Sequence, residues 1–153
     1  MLELPHTLVG AAIAVAIPNP LISLPLALAS HFITDYVPHW NPHLHTEKTK
    51  TGKISKQSLA VVITDATLAL IIGTYIATTH NNFVTIMLAC FLSVAPDVLE
   101  IPYYFLHMDI PWIKKLITFQ RTHQWNVPAI WGIFAQILIG LTSLAIIYFT
   151  RSA

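Results

Sequence analysis

The chain has 153 residues, 55% hydrophobic and only 10% charged, with a formal net charge of +1. Soluble domains carry about 25% charged residues, so a soluble helical bundle would lack the polar outer faces it needs. A net charge near zero gives nucleic-acid binding no electrostatic support, and the single Cys90 excludes an internal disulfide.

The first apolar segment runs from about Pro5 to Ile17. Between Leu4 and Thr34 there is no Asp, Glu, Lys or Arg. No basic region and no small-residue cleavage site mark this start as a removed signal peptide. A bilayer crossing takes about 20 apolar residues as a helix, so this first helix is short. Pro18-Asn19-Pro20 is a turn. A second helix is expected over about Leu21 to Val37, with Pro25 inside it. Pro38 to Ser55 reads as a polar loop, with Lys48, Lys50 and Lys53 in it and Lys56 at its edge.

A third helix is expected over about Lys56 to Thr79, interrupted by charge only at Lys56 and Asp65. His80-Asn81-Asn82 is a tight turn. A fourth spans about Phe83 to Leu106, with Pro96 and Pro102 expected to kink it. Ile113 to Trp125 reads as a short amphipathic segment. The fifth membrane helix spans about Pro128 to Thr150, within a stretch from Thr122 that has no Lys, Arg, Asp or Glu. The expected fold is all-α. It is one integral membrane domain over 1–153, a bundle of about five membrane helices, the first short, plus one short amphipathic helix.

Basic loops stay cytoplasmic. Lys48, Lys50, Lys53 and Lys56 occupy one connection, and Lys114, Lys115 and Arg121 another. The connections at 18–20 and 80–82 have none. One arrangement puts both basic loops on the same side: N-terminus inside, C-terminus outside.

The polar residues then sort by depth. His6 starts the first helix on the inside. His31, Asp35 and His39 sit at the inner end of the second. Asp65 lies about 14 Å along the third helix from Lys56, at 1.5 Å per residue. Asp97 and Glu100 lie in the inner half of the fourth, and Arg121 and His123 precede the fifth. Residues four apart on a helix share a row, so His31 and Asp35 project together.

Asp35, Asp65, Asp97 and Glu100 have no Lys or Arg within the helices to pair them. An unpaired carboxylate at a membrane helix centre costs about 2.5–3.5 kcal/mol. Protonation, a water-filled cavity or a bound cation would relieve that. Histidines from separate segments favour the cation. A His and carboxylate set suits zinc first, with iron or manganese as other fits. His6, His31, Asp35, His39, Asp65, Asp97 and His123 are the candidate ligands. His43, His45, His80 and His107 fall in loops or at helix ends, where solvation accounts for them. Trp40, Trp112 and Trp125 fit an interfacial aromatic belt.

These residues carry a resemblance. Pro5-His6, Pro96-Asp97 with Glu100, Arg121-Thr122-His123, and Ser30-His31 with Asp35 are similar to motifs of the bacterial membrane-bound metal-dependent hydrolases. These are also called LexA-binding inner-membrane-associated hydrolases. Here the Ser-His-x-x-x-Asp motif comes early rather than late, and the second acid of the Pro-Asp motif is a shifted Glu. The resemblance implies a bacterial inner-membrane location and hydrolytic chemistry.

The function expected is a membrane-embedded metal-dependent hydrolase with its site at the cytoplasmic side. Glu100 would be the general base and Arg121 the clamp on an anionic oxygen. Membrane lipids surround such a site, so a lipid or isoprenoid phosphoester is the expected substrate, and an amide bond suits the same chemistry. Self-association into a homo-oligomer is compatible with a small membrane bundle. Two other classes explain the same residues: a metal-ion or proton transporter or channel, and a non-catalytic scaffold with a structural metal. Against transport, the outer half of every helix is apolar.

Overall fold

A computed structural model describes residues 1–151 of the chain, and among them it is all-helical. The helices are α1 (Glu3–Ala16), α2 (Pro20–Asp35), α3 (Leu44–Thr51), α4 (Lys56–Thr78), α5 (Phe83–Val98), α6 (Ile101–Tyr104), α7 (Pro111–His123) and α8 (Ala129–Arg151). The architecture is a helical bundle, as the apolar segments predict.

Three stretches are long and apolar enough to cross a membrane: α4, Phe83–Tyr104 and Ala129–Thr150. Their outward faces are apolar, with Ile63, Ile71 and Tyr75 on α4 and Ile130, Phe134 and Leu141 on α8 exposed. A water-facing bundle would not tolerate that surface; hydrocarbon does. At 14 and 16 residues, α1 and α2 extend about 21 and 24 Å, short of a ~30 Å hydrocarbon core.

The short α1 is the centre of the bundle and packs on α2, α4, α5 and α8. Its sequence explains this. Ala11, Ala12 and Ala14 are buried, and Gly10 lets α5 come close. A Cβ at Gly10 would stand 2.6 Å from the Ala89 carbonyl oxygen. The small-residue stripe lets backbones approach within a membrane.

Asp65 of α4 reaches α1 from the side. Its carboxylate accepts the backbone N–H of Glu3 at 2.5 Å and of Leu4 at 3.3 Å. These are free donors of the first turn of α1, so Asp65 caps that helix from another helix.

The fourth expected helix is kinked near its end, as its prolines predict. α5 ends at Val98 and α6 resumes at Ile101. Pro102 has no N–H to give the Val98 carbonyl, and it disfavours helical backbone in the residue before it. The chain tightens there, with Glu100 N–H bonded to the Asp97 carbonyl at 3.0 Å. Pro38 to Ser55, read as loop from its polarity, contains α3. Glu47 on α3 accepts from Ser55 N–H at 2.7 Å and from Ser58 Oγ at 2.7 Å, and Gly52 closes the helix at φ 73°. α7 begins two residues before the expected segment and buries Ile113, Ile117 and Gln120 on one face.

Candidate metal centre

Asp35 ends α2 and is buried at 3% exposure. Three fully buried imidazoles surround its carboxylate. His6 Nε2 lies 3.4 Å and His39 Nε2 3.8 Å from Oδ1, and His31 Nε2 lies 3.8 Å from Oδ2. The rings of His6 and His31 stack at 4.2 Å. The ligand atoms of His6, His31 and Asp35 fall within 4.8 Å of one another, a group that can hold a metal ion.

Each ring is turned by its other nitrogen. Thr34 Oγ1 gives its proton to the Ser30 carbonyl at 2.8 Å, so it accepts from His6 Nδ1 at 3.0 Å. The Ser93 carbonyl accepts from His31 Nδ1 at 2.9 Å, and the Val37 carbonyl from His39 Nδ1 at 2.8 Å. With Nδ1 protonated, a neutral imidazole presents a bare lone pair at Nε2. The bare nitrogens of His6 and His39 therefore face Asp35, while His31 Nε2 is shared between Asp35 and the Gln120 side chain. Holding the metal-facing nitrogen free through a hydrogen bond at the other is the arrangement of metal-ligating histidines. Burial, with the Met1 ammonium next, lowers His39 to about 4, so its ring is neutral at neutral pH.

The fit can be tested on unused polar atoms. His6 Nε2 and His39 Nε2 are buried without a hydrogen-bond partner, which is costly unless something occupies them. Zn–N and Zn–O bonds of about 2.0–2.1 Å at tetrahedral angles put ligand atoms ~3.3 Å apart. The His6–Asp35 separation of 3.4 Å already meets this. In this structure the Met1 ammonium donates to Asp35 Oδ1, and Gln124 Nε2 donates to Oδ2 at 3.2 Å. A positive group thus stands at the carboxylate the imidazoles face. The residues present could hold a metal ion.

Local folding sets the positions of the ligands. His31 and Asp35 share a row of α2. His39 lies beyond that helix, clipped in a bridge with Asn126: His39 N–H bonds the Trp125 carbonyl at 3.0 Å and Val127 N–H bonds the His39 carbonyl at 3.0 Å. This segment lies against α8 at Gly132, where a Cβ would stand 2.3 Å from Trp40 N. Gln136 of α8 ties the same region, accepting Leu2 N–H at 2.8 Å and donating to the Trp40 carbonyl at 3.0 Å.

The remaining candidates sit at different distances from this group. Asp97 Oδ1 is 3.6 Å from His31 Nε2. Glu100 accepts from Gln120 Nε2, whose Oε1 lies 2.7 Å from His31 Nε2, so one amide connects the imidazole to the acid. Asp65 is engaged in the cap on α1. His123 is exposed, with its ring against Phe119 at 4.4 Å and its Nδ1 bonded to the Phe119 carbonyl at 2.7 Å. It is not in the His6–His31–Asp35 group.

A cavity of about 520 Å³ opens beside the cluster. Glu3, Asp97, Glu100 and Arg121 are on its wall, and its size falls in the range of small-molecule sites. Sequence reasoning missed Glu3, Gln120, Thr34 and Ser93. Gln120 had a signal: it stands on the same helix row as Ile113 and Ile117, a polar residue on an apolar stripe. Thr34 and Ser93 had none, since their role depends on which ring they meet. Comparison of the chain with protein-family models, with curated proteins and with solved structures found no match.

Proposed function

We propose that this protein is a metal-dependent hydrolase of the bacterial inner membrane acting on a lipid or isoprenoid phosphoester. One observation carries the reading: three buried imidazoles, each bonded through Nδ1, surround a single carboxylate, and the Nε2 atoms of His6 and His39 beside it have no hydrogen-bond partner. His6, His31, His39 and Asp35 would hold the ion, zinc first by donor set, with iron or manganese as the other fits. A bound divalent ion would supply acidified water and polarise the ester.

The chain's own groups supply the rest. Glu100, joined to His31 through Gln120, would take a proton from the attacking water. Arg121 on the cavity wall would hold an anionic ester oxygen by its planar fork. In the overall step the water oxygen bonds phosphorus, the P–O bond to the leaving alcohol breaks, and that alcohol takes the proton. Four carboxylates on or beside this wall would repel an anionic substrate, so binding depends on the cation.

The orientation proposed has the N-terminus and the cluster on the cytoplasmic side. Its support is that the two basic loops meet: Lys48 Nζ donates to the Tyr104 carbonyl at 3.4 Å and to His107 Nδ1 at 2.5 Å.

The test is release of nitrophenol from bis(p-nitrophenyl) phosphate by zinc-loaded protein in detergent. Release should require metal and vanish in Asp35→Asn. Glu100→Gln should lower kcat by about 10²–10⁴-fold, the usual weight of a general base. Stoichiometric metal with no turnover of this or a long-chain phosphodiester would overturn the hydrolase reading.

A further inference from the structure

The cavity beside the cluster does not end at the polar groups. It continues between α4 and α5, each of which lies in a stretch long and apolar enough to cross a membrane. On α4 the wall is made by Ala66, Leu70 and Thr74, and on α5 by Met87, Phe91 and Val94. Residues 66, 70 and 74 are four apart and form one row; 87, 91 and 94 form the facing row. Val62 begins the α4 wall and Thr74 ends it, a run of about 18 Å at 1.5 Å per residue. That is close to the depth of one leaflet, half of a ~30 Å hydrocarbon core. Ala66 is small and exposed, and Leu70 is 64% exposed. The trough is therefore open on its flank to hydrocarbon rather than to water.

We infer that this trough holds one hydrocarbon chain of the substrate, entering sideways between α4 and α5, while its anionic head reaches Arg121 and the cluster. The inference rests on the hydrolase reading for the identity of the head, and on the cavity for the chain. Three facts select this occupant. The polar end and the apolar trough are one cavity. Its length suits a tail from the inner leaflet. Its mouth lies on helices whose outer faces are apolar, where the available ligands are lipid chains. Thr74 and Met87 line its far end.

Hexadecyl phosphate carrying a mid-chain diazirine tests this, with the full chain in phosphatidylcholine nanodiscs. Cross-linked peptides are mapped by mass spectrometry and metal content is measured on the same samples. Labels should fall on the facing rows of α4 and α5. Excess hexadecyl phosphate should remove them and butyl phosphate should not. Ala66→Trp, which fills the trough, should lose these labels at unchanged metal content, and Leu70→Trp on the same wall should repeat the loss. Labelling spread over the outward faces of α4 and α8, unchanged by either variant, would overturn the inference. Metal present with no label in the trough would also overturn it and leave the metal reading standing. Trough labelling in a protein that takes up no metal would support the chain site and remove the hydrolase reading.

Discussion

Two polar clusters in this molecule are built from similar groups and end in opposite conditions. Glu47 on α3 accepts three hydrogen bonds, from Ser55 N–H, Ser55 Oγ and Ser58 Oγ, at a half-buried position. Its acceptor capacity is used locally, and the result is a clip between α3 and α4. The His6–His31–His39–Asp35 cluster is buried, yet two of its imidazole nitrogens have no partner. A buried polar atom left unsatisfied is destabilising, and two of them beside one carboxylate belong to a cluster that could hold a metal ion. Asp65 belongs with Glu47: its oxygens are taken by the first-turn donors of α1. Saturated acids hold this structure together, and unsaturated imidazoles make its site.

The strongest way to break the contrast is to move one ligand without touching it. Gly132→Ala would put a Cβ against Trp40 N and displace the segment carrying His39. Thermal melting in detergent should show a loss of about 1–3 kcal/mol, the usual range for overpacking, together with weaker metal retention. Retained metal affinity would detach His39 from the site.

Next is Thr34→Val, which keeps the shape and removes the acceptor for His6 Nδ1. The free tautomer choice should weaken metal affinity by about 10–100-fold, read by competition with a chelating dye. Unchanged affinity would mean that Thr34 does not orient the ring. Asp65→Ala sharpens the other side of the comparison. It should reduce stability by about 1 kcal/mol, as loss of a helix cap does, while metal content stays that of the parent. Loss of metal there would place Asp65 among the ligands.

The smallest effect expected is at Glu47. The Ser55 N–H, foremost, and the Ser58 hydroxyl hold its carboxyl below the usual range. A group with a lowered folded pKa contributes stability above its unfolded value, and that contribution is lost as pH falls through the folded one. Amide exchange in α3 should therefore quicken on acidification below about pH 4.5, the ordinary value of the group. Glu47→Gln should exchange fast throughout. A flat exchange profile in the parent would show that the clip does not depend on the charge.

The membrane helices were legible in the sequence because lack of charge over long stretches needs no tertiary context. The grouping of His31 with Asp35 was legible too, since a four-residue spacing fixes a shared row. His6 joined them by depth along the chain. Other features depended on contacts that spacing does not encode. Asp65 and Asp35 are alike in sequence, each an acid in an apolar segment. Only the approach of α1 separates cap from ligand partner. α3 was hidden by polarity, because its support comes from Glu47 reaching forward to Ser55 and Ser58. The joint between α5 and α6 was marked by Pro102, and the backbone stays in the right-handed helical region through Leu99 and Glu100, as a kink requires.

Metal content of the detergent-purified protein, by elemental mass spectrometry, tests the central claim most directly, beside a His6→Ala/His39→Ala double variant. These are the two rings whose Nε2 atoms lack partners. The account predicts near-stoichiometric zinc, iron or manganese in the parent and loss of it in the variant, with the helical content of both alike. A parent that neither carries nor takes up any of these ions, or a variant that retains them fully, would contradict it.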